Sequence, residues 1–360
     1  MKINPSLLNG RRILVTGGAG FLGYHLAQRL PKLGASYMAF NDIDSFPDKE
    51  EYPDGALLIH ADVRDQDSMY KLIKDNKINT IVHTAAALPL CKKEEIYSTN
   101  VDGLRTTLKS AQKAGVEKII FISSTAVYGV PDKHPLVETD PVDGVGHYGI
   151  TKIMGEEVCK EFVKQGMNIT IIRPKTFIGV ARLGVFQILY DWVDCGKKIP
   201  IIGKGLNRYQ LLEVTDLADA IAIAISSDPE LSNDIFNVGA DVFQRVKDDV
   251  GGLCSFAGTG SVPMPTPAKL VKPALAFFEL LGISPLYKWV YGTADKDSYV
   301  STEKIESKLG WKPENSNLDA LKRSHSWYLE HKDELKSKET GVTHRVGWDQ
   351  GVLKIFKKWL

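Results

Sequence analysis

Residues 12–23 read RILVTGGAGFLG. Arg12 to Thr16 is an apolar run of strand length, and Gly20 to Leu33 carries a helical period. Between them Gly17, Gly20 and Gly23 follow a GxxGxxG spacing. A strand that passes into a helix through such a loop suits the pyrophosphate of a dinucleotide. Gly17 permits the tight turn, Gly20 lets the backbone approach the pyrophosphate, and Gly23 lets the helix pack closely on the sheet. The helix N-terminus then turns N–H groups toward the anion.

The same alternation continues outward. Strands are predicted at Ser36 to Asn41, Ala56 to His60, Thr80 to His83, Lys118 to Ser123 and Asn168 to Arg173. Helices are predicted at Asp65 to Lys74, Ile96 to Ala114 and Gly149 to Gln165. Strands rich in Ile and Val between helices mean a parallel sheet covered on both faces. Right-handed crossovers make it a doubly wound α/β fold of the Rossmann type. After Pro174 prolines and shorter elements dominate, which marks a smaller C-terminal substrate lobe. The expected division is a dinucleotide domain over residues 1–175, a lobe over 176–345 and an amphipathic helix over 346–360. Residues 209–240 are expected to return to the sheet.

Bulk properties narrow the functional class. The chain has 360 residues, 45 Lys+Arg against 44 Asp+Glu, and a formal charge of +1, which gives no global field for nucleic acid. Its hydrophobic fraction of 43% suits a sizeable core. The 4 cysteines, Cys91, Cys159, Cys195 and Cys254, form no CxxC and no zinc spacing, so no metal site is expected. Met1 to Arg12 lacks the apolar core of a signal peptide, and no run of 18 apolar residues occurs. A reduced cytoplasmic setting is the simplest expectation.

Asp42 ends the second strand about 20 residues beyond the glycine loop. A carboxylate there can accept hydrogen bonds from both ribose hydroxyls and repels a 2′-phosphate, which favours NAD over NADP. Asn41 and Asp44 are alternatives for that role. Asp62 and Val63 follow the third strand, placed to meet the adenine edge and face. The chemical candidates are Tyr148 and Lys152, four apart and so on one face of a helix. A lysine ammonium beside a phenol stabilises the phenolate, so the tyrosine can exchange a proton near neutral pH. The fifth strand ends in Ser123-Ser124-Thr125-Ala126-Val127-Tyr128-Gly129, which places a hydroxyl beside the same substrate oxygen.

Thr16 to Gly23, His83-Thr84-Ala85-Ala86, Asn100-Val101-Asp102-Gly103, Ser123 to Gly129, Tyr148 to Lys152, Arg173-Pro174 and Leu309-Gly310-Trp311-Lys312-Pro313 resemble the extended short-chain dehydrogenase/reductase family. Within it they resemble the NAD-dependent nucleotide-sugar epimerase/dehydratase group. The resemblance implies Thr125, Tyr148 and Lys152 as catalytic. It implies NAD contacts from Gly17, Gly20, Phe21, Leu22, Asp42, Asp62, Val63, Ala85, Ala86, Asn100, Ser123, Tyr148, Lys152 and Pro174. It implies substrate contacts from Thr125, Thr176 and Arg208, and a homodimer built on the Ile96 to Ala114 and Gly149 to Gln165 helices.

Three departures stand out. Sugar-nucleotide 4,6-dehydratases of the family carry Asp-Glu after the catalytic Thr, where this chain has Ala126 and Val127. An Arg-x-Gly-Asp run before the final helix is replaced by Gly292-Thr293-Ala294-Asp295-Lys296-Asp297. The chain also continues about 45 residues past Trp311. In the other direction, Gly203 to Gln210 resembles the segment whose arginine grips the substrate diphosphate, and a guanidinium fork suits that contact.

The expected activity is therefore an NAD-dependent epimerase acting on a nucleotide sugar. The alternative is a dehydrogenase or reductase of a 3β-hydroxysteroid-like or other hydroxyl substrate. A non-catalytic NAD sensor is a third reading, opposed by the complete Thr125-Tyr148-Lys152 set. His83 reads as a structural histidine. His134 and His147 lie in the loop before Tyr148, with His147 a candidate for the cleft wall. Pro263 to Val290 reads as lobe core or as a lid over a lipophilic substrate. Val352, Ile355, Phe356 and Trp359 form one stripe, with docking on the protein itself favoured over a membrane surface.

Overall fold

The computed structural model describes residues 3–46, 49–89, 91–181, 183–281, 288–337, 340–341, 347–348 and 353–357. Strand β1 (Arg12–Thr16) lies inside a seven-stranded parallel sheet, next to its central strand. It is joined by β2 (Tyr37–Asp42), β3 (Leu57–His60), β4 (Thr80–His83), β5 (Lys118–Ile122) and β6 (Ile169–Pro174). Three short strands follow, β7 (Thr176–Ile178), β8 (Ile199–Ile202) and β9 (Leu211–Glu213), and then β10 (Ile235–Val238). The sheet order is β10-β6-β5-β4-β1-β2-β3. The order reverses between β1 and β4, so a crevice opens at their carboxyl ends, where ligands bind in such sheets.

Alternation along each strand splits the core in two. Ile13 and Val15 pack on one face with Phe40, Val82, Ile120 and Ile172, against the helices Phe21–Arg29 and Val214–Ser226. Leu14 points to the other face with Ala39, Ile81, Ile119 and Ile171, against Gln66–Asp75, Leu104–Ala114 and Gly146–Val163. Both faces are covered, which is why the middle positions of these strands are apolar and the polar residues gather toward their ends.

Three expectations need correction. Of residues 209–240, only β10 joins the main sheet, pairing with β6; β9 pairs with β7 in a separate two-stranded sheet. The helix read as continuous from Ile96 to Ala114 is Lys93–Tyr97, a π-helical stretch Ser98–Gly103, and Leu104–Ala114. In the apolar Pro263 to Val290 segment, the described residues 263–281 add little to the lobe core. Its first part is strand β11 (Pro263–Thr266) beside β8, followed by helix Ala268–Leu280. That helix buries Leu275 but leaves Leu270, Phe277 and Leu280 exposed. Residues 282–287 lie outside the described residues. The lobe packs instead on Tyr190, Trp192, Leu253 and Tyr328.

At the C-terminus the described turn Leu353–Phe356 lies on this lobe, with Leu353 packed on its cluster and Lys357 paired with Asp191. Val352, Trp359 and the side chains of Ile355 and Phe356 lie outside the described residues. Among the described residues no helix is long and apolar enough to cross a membrane.

Candidate active site

The glycine loop forms the floor of a cradle. Gly17 has φ +69°, and a Cβ there would stand 2.7 Å from the Ala85 amide nitrogen. Any side chain would push the β1 loop off the end of β4. A Cβ at Gly23 would meet the Gly18 carbonyl at 2.3 Å, so this glycine lets the helix close on its own loop rather than on the sheet. Phe21 and Leu22 form the first helical turn and are buried, with Phe21 stacked on Phe177. Ala85 and Ala86 are half-buried beside the loop.

Asp42 lies at the end of β2, where its Oδ2 accepts from Ala19 N–H at 2.9 Å and its Oδ1 from Asp44 N–H at 3.0 Å. The carboxylate is thereby aimed at the cradle. Of the alternatives, Asn41 is fully buried and donates to the Ala61 carbonyl, while Asp44 is exposed. Asp62 is gripped by Arg64 through Nε and Nη2, which holds its carboxyl below the usual range. Val63 packs in the core behind it. The cradle thus combines close backbone, a helix N-terminus and the Asp42 carboxylate, groups that suit a dinucleotide.

The candidate proton-transfer residues are Thr125, Tyr148 and Lys152. Thr125 opens a 3-10 turn, Thr125–Tyr128, at the end of β5. Its hydroxyl donates to the Pro174 carbonyl at 3.3 Å. Helix Gly146–Val163 begins against this turn: Val145 N–H donates to the Ala126 carbonyl, and a Cβ at Gly149 would stand 2.9 Å from the same oxygen. Gly149 therefore lets the start of the helix that carries Tyr148 pack closely on the Thr125–Tyr128 turn, a role the sequence reading overlooked. Lys152, one turn on, is buried. Its ammonium donates to the Ile122 carbonyl at 2.8 Å and sits 5.6 Å from the Tyr148 ring centre. Burial lowers its pKa to about 8.

Several expected contact residues make bonds that brace the site. Asn100 lies in the π-helical stretch; its amide bonds Ala87 on both sides and Thr151 on the helix carrying Tyr148. Ser123 donates to Glu156 at 2.6 Å. Glu156 is fully buried and forked by Arg173, whose Nη1 also donates to the Tyr128 hydroxyl. This pair ties the helix to β6 and was not singled out from sequence. His83 is buried and bonds Thr16 through Nδ1 at 3.0 Å; burial, with the Lys152 charge second, drops its pKa to about 3. It is structural, as expected.

On the substrate side, Thr176 exchanges a hydrogen bond with the Tyr209 hydroxyl at 3.0 Å. Arg208 is exposed, and its guanidinium makes no ion pair among the described residues. Its backbone bridges to Arg245, so two arginines stand side by side. His134, not His147, lines the cleft above Thr125, together with Lys175 and Asp297. His147 is exposed and lies against Tyr97.

Known proteins bear on this geometry. A model of the NAD dependent epimerase/dehydratase family matches residues 13–239. An uncharacterised protein of Sinorhizobium fredii is 31% identical, covering 95% of this chain and 84% of its own. A UDP-glucose 4-epimerase of Lactobacillus helveticus is 27% identical over 89% of this chain and 98% of its own. The solved UDP-glucose 4-epimerase of Thermotoga maritima, bound to UDP-glucose, has a TM-score of 0.74 at 24% identity, covering 89% of this chain and 99% of that one. That last likeness shows the shared fold. With the glycine loop at the end of β1, Asp42 at the end of β2 and the match over residues 13–239, the chain belongs to the NAD dependent epimerase/dehydratase family.

Proposed function

We propose that the protein is an NAD-dependent epimerase of a nucleotide sugar. The observation that carries this reading is the Thr125–Tyr128 turn. Thr125 faces the cleft, while the next two side chains, Ala126 and Val127, are apolar and buried. Neither can exchange a proton, so the turn lacks the acid pair with which dehydratases of the family expel a hydroxyl. What remains is chemistry at one carbinol carbon.

Gly17, Gly20, Asp42, Ala85 and Lys152 would hold NAD. When bound, NAD supplies reversible acceptance of hydride from the sugar carbon. Tyr148 takes the proton of the sugar hydroxyl as that carbon is oxidised and returns it when the carbon is reduced from its other face. Lys152 stabilises the phenolate. Thr125 donates to the same substrate oxygen by releasing the Pro174 carbonyl. Arg208, with Arg245 beside it, grips the diphosphate. The helix Gly146–Val163 supports the expected homodimer, since it leaves Ile150 and Met154, one turn apart, exposed.

The test is to incubate purified enzyme with UDP- and dTDP-hexoses and follow the sugars by NMR. Interconversion of epimers without net NADH formation is expected, with cofactor retained through desalting. A dehydrated sugar, or stoichiometric NADH, would replace this reading with a dehydratase or a net dehydrogenase.

A further inference from the structure

Lys175 follows β6 immediately and is 4% exposed. A buried ammonium is expensive unless paired. Yet Lys175 makes no ion pair among the described residues. Its Nζ donates to Ser298 Oγ at 2.6 Å and lies 5.1 Å from the Tyr209 ring centre. An ammonium has three protons, so these contacts leave donor capacity unused. The side chain lines the cleft that also holds Thr125 and His134. Asp297 lines the same cleft without pairing to Lys175; its Oδ1 accepts from Arg208 N–H at 2.7 Å.

We propose that Lys175 selects a substrate whose sugar ring carries a carboxylate, a nucleotide-linked uronic acid, by pairing with that carboxylate. The inference rests on the nucleotide-sugar reading above. Position supports the sugar over the diphosphate as the partner. Lys175 shares its cleft with Thr125, the hydroxyl assigned to the reacting carbon, whereas the exposed Arg208 and Arg245 are placed for the diphosphate. Energetics support an anion over a neutral sugar. Burial alone lowers the Lys175 pKa to about 7, so an arriving carboxylate would hold the ammonium charged and offset its desolvation. Tyr209 keeps the ammonium in place through its ring face, and Thr176 fixes that ring.

The experiment is calorimetric titration of the full-length NAD-loaded protein with UDP, UDP-glucose and UDP-glucuronate, and with their thymidine counterparts. The glucuronate form should bind at least about tenfold more tightly than the glucose form, the scale of one charge-assisted hydrogen bond. Lys175→Met should erase that difference while leaving the affinity for glucose form and free diphosphate unchanged. Equal binding of both sugars to the unaltered protein would overturn the proposal without needing any variant. So would a Lys175→Met variant that loses free diphosphate as strongly as glucuronate, since the lysine would then serve the phosphates. If diphosphates and both sugars all fail to bind, the nucleotide-sugar reading itself falls, and this proposal with it.

Discussion

The Lys152 ammonium and the Ile122 carbonyl are 2.8 Å apart, which pins the middle of one helix to the end of the strand that carries Thr125. The helix that carries Tyr148 and the turn that opens at Thr125 are thereby held to one frame. Tyr148→Phe deletes a hydroxyl and leaves this frame intact. Turnover should fall by roughly 10² to 10⁴ with unchanged melting temperature and NAD binding. Lys152→Met should in addition move the acid limb of the pH–rate profile upward by about a unit, because the phenolate loses its neighbouring charge. A variant at Tyr148 that keeps half of its turnover would remove it from the chemistry.

Asp42 sets the cofactor. Asp42→Ala should weaken NAD and relieve repulsion of the NADP phosphate, so the ratio of the two dissociation constants moves toward NADP. The loss of its bond to Ala19 N–H adds a smaller, cofactor-independent weakening. An unaltered enzyme that already prefers NADP would contradict this assignment.

His83 makes the fold acid-sensitive. Its folded pKa, about 3, is depressed from 6.5 first by burial and then by Lys152. Between those values the unfolded chain binds a proton that the folded chain refuses. Its contribution is therefore present above pH 6.5 and is lost as the pH falls toward 3. His83→Asn should flatten the decline of melting temperature across that window. Parallel pH profiles for the two proteins would exclude His83 as a cause.

The C-terminal turn is held by Lys357 and Asp191, both mostly buried. Deleting residues 348–360 should lower the melting temperature, with no binding to anionic liposomes in either form. Lipid binding by the full chain, lost on deletion without a change in melting, would reverse the assignment to a membrane surface.

The apolar pair Ile150 and Met154 is the proposed centre of a two-fold interface. Light scattering should give twice the chain mass, and Met154→Lys should shift it toward one. A concentration-independent monomer of the unaltered protein would rule the interface out.

The central strands were legible because each is buried on both faces and bounded by turn residues, so hydrophobic runs and strands coincide. The π-helical stretch at Ser98–Gly103 was not. A single extra residue leaves the amphipathic period nearly unchanged while swinging Asn100 toward Ala87. β9 was misplaced because so short a strand, with two leucines and a glutamate, fits either sheet, and only its partner Thr176–Ile178 decides between them. The helix Ala268–Leu280 looked like core because composition does not reveal whether a partner exists. Tyr148, Lys152 and the glycine loop stood out by spacing. Lys175 did not, since a lysine after Arg-Pro reads as surface until its surroundings are seen.

The bond between Lys175 and Ser298 joins residues 123 positions apart. The glycine loop, Asp42 and Ala85 all lie in the first quarter of the chain, so the dinucleotide cradle can form early during synthesis. The substrate cleft must wait until Ser298 has left the ribosome, and such long loop closures are slow. A nascent chain should therefore acquire cofactor affinity well before it can hold a sugar.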